Sequence, residues 1–258
     1  MKTTIVLPTY NEAENLPLMV AALLGLDIPN LHILVVDDNS PDGTGDIAEA
    51  LAQKHAPFIS VYHNPNKGGL GPAYIAGFKR ALADGADYII QMDTDFSHQP
   101  RYIPELIAKA DLGHDLVMGS RYVKGGGVDE SWSWFRKLLS WFANRVYVSL
   151  VLGIPLTDAT GGYRLWRRES LIGLDLDRIK ASGYVFQVEM AYVAHKLGYK
   201  IAEIPIYFPD RQRGISKMGS HIIFEAAMRT FEIRQRHHAL TASNRRTEMY
   251  STPVLKQG

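Results

Sequence analysis

Short runs of β-branched and aliphatic residues recur through the first half of the chain, separated by stretches in which apolar residues return every three or four positions. The runs predict strands near residues 4–7, 32–37, 59–63, 88–92 and 116–119. The stretches between them predict helices over 13–24, 45–54, 73–82 and 103–110, several opened by a polar or proline cap signal such as Asn11 or Gln99-Pro100. Strand and helix in alternation is the pattern of βαβ units, so the expected fold class is α/β, with a mainly parallel twisted sheet flanked by helices. Such sheets have right-handed crossovers and gather ligand sites at the carboxyl ends of their strands. The polar clusters of this sequence fall at those ends.

The second half is less regular. A glycine run, Gly125-Gly126-Gly127, leads into an aromatic stretch over 132–152, and a polar turn over 157–162 leads into Tyr163-Arg164-Leu165-Trp166. A helix is predicted over 186–197, a strand over 200–206, a basic loop over 211–219 and an amphipathic helix over 221–236. The chain reads as one domain over 1–240, and the polar residues 241–258 as a disordered tail. No internal repeat or low-complexity linker interrupts it.

Composition narrows the chemistry. Hydrophobic residues make up 46% of the 258, ample for a core, and 28 basic against 27 acidic side chains leave a formal charge of +1. Nothing in that balance draws the chain to nucleic acid, and recognition of phosphate must be local. With no cysteine, disulfides, thiolate metal sites and cysteine nucleophiles are excluded, which fits a cytosolic compartment. The opening Met1-Lys2-Thr3-Thr4 runs straight into a strand pattern unlike a signal or transit peptide.

Two carboxylate clusters stand out, Asp37-Asp38 after the second predicted strand and Asp93-Thr94-Asp95 after the fourth. In an extended segment Asp93 and Asp95 point to one side, where both carboxylates can face a hard cation such as Mg2+ or Mn2+ that keeps positions open for diphosphate oxygens. A D-x-D by itself more often caps a turn. Its weight comes from Asp38 and from Pro8-Thr9-Tyr10-Asn11-Glu12 at the end of the first strand, because parallel strands bring all three clusters to one edge. No G-x-G-x-x-G follows the first strand, which argues against a Rossmann dehydrogenase, and the glycine-rich first loop of a nucleotidyltransferase is absent too.

Several ordered motifs carry a family resemblance: Leu7-Pro8-Thr9-Tyr10-Asn11-Glu12, the segment from Asp37-Asp38-Asn39-Ser40 to Thr44, Met92-Asp93-Thr94-Asp95-Phe96-Ser97-His98 and Gly119-Ser120-Arg121-Tyr122. Thr160-Gly161-Gly162-Tyr163-Arg164-Leu165, Gly183-Tyr184-Val185-Phe186-Gln187 and the spaced set Arg211, Gly214, Ser216 and Lys217 extend it across about residues 4 to 230. In these the chain resembles the dolichol-phosphate mannose synthases and their bacterial polyprenol counterparts, which are inverting glycosyltransferases of GT-A fold. The resemblance implies transfer of mannose from GDP-mannose to dolichyl or polyprenyl phosphate. It also implies a nucleotide-sugar half over 1–122 and an acceptor and membrane half over 123–240. Pro8, Tyr10 and Glu12 correspond to the family's nucleotide pocket, Val36 and Asp38 to contacts with base and ribose, and Asp93, Thr94 and Asp95 to the segment that binds the sugar diphosphate and the Mg2+ or Mn2+ ion. Thr94 stands where the family usually has alanine; its hydroxyl should be tolerated there but could shift the sugar contacts. Arg121, Arg211 and Lys217 correspond to basic positions that hold phosphate, and Asp95, Arg211 and Lys217 are the residues expected to carry the transfer.

The remaining polar residues have weaker readings. Glu189 and His195 lie on a predicted helix, and surface or structural roles suit them; His63, His98 and His221 lack metal-ligand spacing. Asp158 and Arg164 either border the acceptor or form a buried structural ion pair.

The aromatic stretch bears on the lipid. Trp132, Trp134, Phe135, Trp141 and Phe142 alternate with Arg136, Lys137, Asn144 and Arg145, which interrupt any run of the roughly 20 apolar residues that spanning requires. An amphipathic helix lying on the membrane surface is expected, with Met228, Phe231 and Ile233 among arginines as a second contact. The alternative is a core-facing helix. The expected location is peripheral, on the cytoplasmic face of a membrane, and stable attachment would call for an anchoring partner protein. Rival readings are a polyprenyl-phosphate glucosyltransferase using UDP-glucose and a homologue that binds nucleotide-sugar without turnover.

Overall fold

The computed structural model describes residues 1–210 and 220–250. Strands β1 (Thr3–Thr9), β2 (Leu31–Asp37), β3 (Ile59–His63), β4 (Tyr88–Gln91) and β5 (Leu116–Ser120) form where the apolar runs place them, joined by helices α1 (Leu16–Leu24), α2 (Thr44–Lys54), α3 (Leu70–Ala83) and α4 (Ile103–Asp111). Side chains alternate across a pleated strand. Ile5, Leu7, Ile33, Val35 and Ile90 pack into one layer with α1, α2 and α4, whereas Val6, Leu34, Val36 and Ile89 pack into the other with α3. Both faces of the sheet are therefore covered, which is why these strands are apolar throughout. Helix α3 lies so close to β1 that a Cβ on Gly77 would collide with Val6 Cγ1.

The second half completes the same sheet. Strand order is β3-β2-β1-β4-β7-β5-β8, where β7 (Arg164–Arg167) is antiparallel to both β4 and β5, and β8 (Ile201–Pro205) is parallel to β5. A two-stranded parallel ribbon, β6 (Gly127–Val128) with β9 (Tyr207–Phe208), lies apart from it. The sequence pattern does not reveal β7, whose four residues include two arginines; it forms because the slot between β4 and β5 supplies partners on both sides. Helices α5 (Trp134–Trp141), a π-helical turn over Phe142–Val148, α6 (Ser149–Leu152), α7 (Arg168–Leu174), α8 (Gly183–Lys196) and α9 (Ser220–His237) make up the rest.

The tail departs from expectation over 241–250. Tyr250 is buried, its hydroxyl accepts from Leu176 N at 2.7 Å, Arg245 Nε donates to Leu197 O at 2.9 Å and Arg246 pairs with Asp175. Specific aromatic and arginine contacts anchor a segment whose polar composition alone suggests disorder. Residues 251–258 lie outside the described residues.

Candidate functional site

Adjacency of β2, β1 and β4, all parallel, brings Pro8–Tyr10, Asp37–Asp38 and Asp93–Asp95 to one edge, as the sequence leads one to expect. Crosslinks hold the three ends together. Asp38 N donates to Thr9 O at 2.9 Å, and the buried Thr94 hydroxyl donates to Pro8 O at 3.3 Å. Thr94 thus ties the end of β4 to β1 through its hydroxyl.

Asp38 is buried and organises a loop. Its Oδ1 accepts from Asn64 Nδ2 at 3.0 Å and Gly68 N at 2.9 Å, and its Oδ2 from Gly69 N at 2.8 Å. Those bonds fix the turn that starts α3, where Gly69 has φ of +85°. They also place the Lys67 ammonium 3.4 Å from the centroid of the Tyr10 ring, a cation–π contact over the face expected to meet the nucleotide. Glu12 Oε2 accepts from Asn15 Nδ2 at 2.8 Å. The Val36 side chain is the exception at this edge. It is fully buried beneath α3, 3.0 Å from where a Gly77 Cβ would lie, so only its backbone remains for a base.

At the end of β4, Asp93 Oδ1 accepts from the Tyr74 hydroxyl at 2.9 Å and Asp93 N donates to His98 Nδ1 at 2.8 Å. Burial, then the neighbouring Asp93 carboxylate, push the Tyr74 phenol well above its ordinary value, so it stays a donor. An accepting Nδ1 puts the His98 proton on Nε2 in a neutral ring, which stacks on Tyr163 with centroids 5.0 Å apart. Asp95 Oδ1 accepts from Ser97 N at 3.0 Å and from the Ser97 hydroxyl, and Phe96 between them has φ of +62°. The turn is built around the Asp95 carboxylate and the Asp93 amide, and the Asp93 carboxylate is held from α3 by Tyr74. Among the described residues no group of three or more His, Cys, Asp or Glu side chains is placed to hold a metal ion.

Arg121, at the end of β5, is committed to Asp158: its Nε reaches Oδ2 at 2.7 Å and its Nη2 reaches Oδ1 at 2.6 Å. Asp158 is fully buried, and its partner is Arg121, where the sequence had suggested Arg164. Arg164 instead donates from Nε to Gly161 O and from Nη2 to Ala159 O, while burial lowers its pKa to about 9 against the opposing pull of Asp158. Arg211 and Lys217 lie outside the described residues. Sequence reasoning missed Lys67, Tyr74 and the structural use of His98. Lys67 precedes a glycine pair at the head of α3, a signal for a ligand-side loop; Tyr74 gives none, because it sits among the apolar positions of a helix.

Helix α5 settles the choice between core and surface. It has no buried residue, and Trp134, Phe135, Leu138 and Trp141 are all exposed, Trp134 at 74%. Nearby α6 packs against α9, Arg234 Nη1 donates to Val151 O at 2.9 Å, and Leu150, Met228 and Phe231 are also exposed. Among the described residues no helix is long and apolar enough to cross a membrane.

Comparison with known proteins bears on this arrangement. The chain is 44% identical over 231 residues to a polyprenol monophosphomannose synthase of Mycolicibacterium smegmatis, covering 90% of this chain and 86% of that protein. It is 46% identical over 228 residues to an undecaprenyl-phosphate mannosyltransferase of Micrococcus luteus, covering 88% and 92% respectively. Among solved structures, glucosyl-3-phosphoglycerate synthase from Mycobacterium tuberculosis with Mn2+, uridine diphosphate and phosphoglyceric acid superposes with a TM-score of 0.64 at 19% identity, covering 91% of this chain and 78% of that one. Mannosyl-3-phosphoglycerate synthase from Rubrobacter xylanophilus gives 0.63 at 20% identity, covering 92% and 75%. These two structures share the GT-A fold with the present chain. Residues 4–174 match the profile of Glycosyl transferase family 2, and with that match and those relatives the chain belongs to Glycosyl transferase family 2.

Proposed function

We propose that the chain transfers mannose from GDP-mannose to a polyprenyl or dolichyl phosphate, with inversion at the sugar carbon. The observation that carries this reading is the 44–46% identity to two bacterial proteins named for mannosyl transfer to polyprenyl phosphate. The alignments, 231 and 228 residues long, must run past the end of the family profile at residue 174.

The chemistry fits the edge. A sugar hydroxyl acceptor would need a general base, whereas a phosphate monoester has its second pKa near about 6 and arrives charged. The task left to the protein is to bring anions together and align them. Tyr10, Asp38 and the loop it holds form the donor side, and Arg121 with Arg211 and Lys217 are the cations proposed for the phosphates. Asp93 and Asp95 offer hard oxygen donors but no complete coordination shell, which suits Mg2+ or Mn2+ held by one or two carboxylates plus substrate phosphate oxygens and water. When bound there, such an ion would neutralise charge developing on the departing diphosphate.

The exposed aromatic face of α5, flanked by Arg136 and Lys137, is proposed to rest in the headgroup region on the cytoplasmic face of a membrane. Purified protein given polyprenyl phosphate with either GDP-mannose or UDP-glucose tests the sugar. Mannosyl lipid from the first donor alone is expected, and glucosyl lipid from the second alone refutes the assignment.

A further inference from the structure

Arg121 is held more tightly than a surface arginine awaiting a ligand. Besides the two side-chain bonds, Arg121 N donates to Asp158 Oδ2 at 3.0 Å and Nη2 also donates to Thr160 Oγ1 at 2.9 Å. The rings of Tyr122 and Phe208 each lie 5.3 Å from the guanidinium carbon. Asp158 is in turn fixed from behind: Asp158 N donates to Glu203 Oε1 at 2.9 Å, and Thr157 N and Oγ1 donate to the two oxygens of the same carboxylate. Glu203 stands on β8 and Arg121 follows β5, adjacent strands, so the turn at 157–158 bridges them. The backbone above is equally constrained, since a Cβ on Gly126 would lie 2.6 Å from Ser120 O and 2.9 Å from Arg121 O.

A buried ion pair is a weak source of stability, because desolvation of both charges offsets most of their attraction. What it does supply is geometry. With Nε and Nη2 taken by Asp158 and Thr160, Nη1 is the one side of the guanidinium that makes no hydrogen bond among the described residues. The Phe208 ring that touches Arg121 also meets His98, edge to face at 5.8 Å, and His98 accepts from Asp93 N. One ring and one imidazole thus separate the cation from the end of β4.

We infer that Asp158 is a positioning residue, which locks Arg121 so that its Nη1 side alone is presented to a phosphate oxygen of a substrate at this edge. The inference rests on the proposed reading that Arg121 meets phosphate. Glu203 acts one step further back, through the turn.

A double-mutant cycle tests it. Asp158→Asn in the otherwise intact chain is expected to lower kcat/KM about tenfold or more, the worth of one charge-assisted hydrogen bond. In an Arg121→Ala background the same replacement is expected to change it by less than about twofold, because there is nothing left to position. An equal factor in both backgrounds would overturn the inference. Since Asp158→Asn leaves a buried cation with a weaker partner, which costs stability, the apolar pair Arg121→Met with Asp158→Leu serves as the second variant. It is expected to restore the melting temperature while kcat/KM stays at the low level of Arg121→Ala; turnover that returns with stability would make the pair merely structural. Calorimetric titration with GDP and with farnesyl phosphate supplies a readout independent of the sugar. At least one should bind more weakly to Asp158→Asn and Arg121→Ala by the same factor, and a wild-type chain that binds neither contradicts the inference. Coupled binding without mannosyl transfer would refute the proposed function and leave the inference standing.

Discussion

The Tyr74 hydroxyl donates to Asp93 Oδ1 at 2.9 Å from a fully buried position on α3. The same helix begins at the glycine pair whose amides bond Asp38. One helix is thereby wired to both acidic strand ends, and the separation of the proposed donor contacts depends on it. Tyr74→Phe should cost about 1 kcal/mol in urea denaturation, the net value of a hydrogen bond. It should also raise the Mn2+ concentration for half-maximal activity, because Asp93 is left to rotate. An unchanged metal dependence would show that Asp93 needs no such restraint.

Asp38→Ala removes the acceptor of three hydrogen bonds and frees the loop carrying Lys67. The expected result is a KM for the nucleotide-sugar raised about tenfold or more, with stability down by about 2–3 kcal/mol. Initial-rate kinetics over a donor series, beside thermal unfolding, separates the two effects.

Glu189 on α8 is fully buried and accepts from Lys180 N, Ala181 N, Arg236 Nη1 and the ring of buried His237, so it fastens α9 to the loop before α8. Burial opposes its ionisation, but the hydrogen bonds from His237, Ala181 N and Lys180 N, in that order, hold its pKa below the usual value of 4.5. A depressed folded pKa means that the stability is fully present above the unfolded value and is lost as pH falls through the folded one. Below about pH 4, unfolding free energy should therefore drop with pH. Glu189→Gln should cost about 3 kcal/mol at neutral pH and flatten that slope. Urea midpoints between pH 3 and 7 for both proteins check it; parallel profiles would remove Glu189 from the acid response.

Replacing Trp134 and Phe135 together with serine takes exposed apolar surface away from α5 without opening the core. Binding to vesicles should weaken about tenfold or more, with the melting temperature unchanged. Sedimentation with liposomes measures it, and full retention of binding would move the membrane contact elsewhere.

Much of this was legible in the sequence. Strands β1 to β5 were, because each is a short apolar run bounded by polar residues, and the parallel order then forces their polar ends to one edge. Strand β7 was not: Arg164 and Trp166 look unlike strand core until Gln91, whose side chain accepts from Trp166 Nε1, and the backbone acceptors of the 159–161 turn are in place. Asp158 was visible as a candidate but its partner was not, since Arg121 lies 37 positions away. Where the side chains of Val36 and Thr94 lie was not legible either, for a different reason. A motif gives the position of a residue along a strand, whereas the packing of α3 on one face and the reach to Pro8 decide where each side chain goes.

The measurement closest to the central claim follows lipid-extractable label from radiolabelled GDP-mannose and polyprenyl phosphate, with wild type, wild type plus chelator, and Asp95→Ala. Label that accumulates with wild type and Mn2+ or Mg2+, and collapses in the other two, is the expected result. Absence of labelled lipid with wild type, or a rate untouched by chelation and by Asp95→Ala, would contradict it.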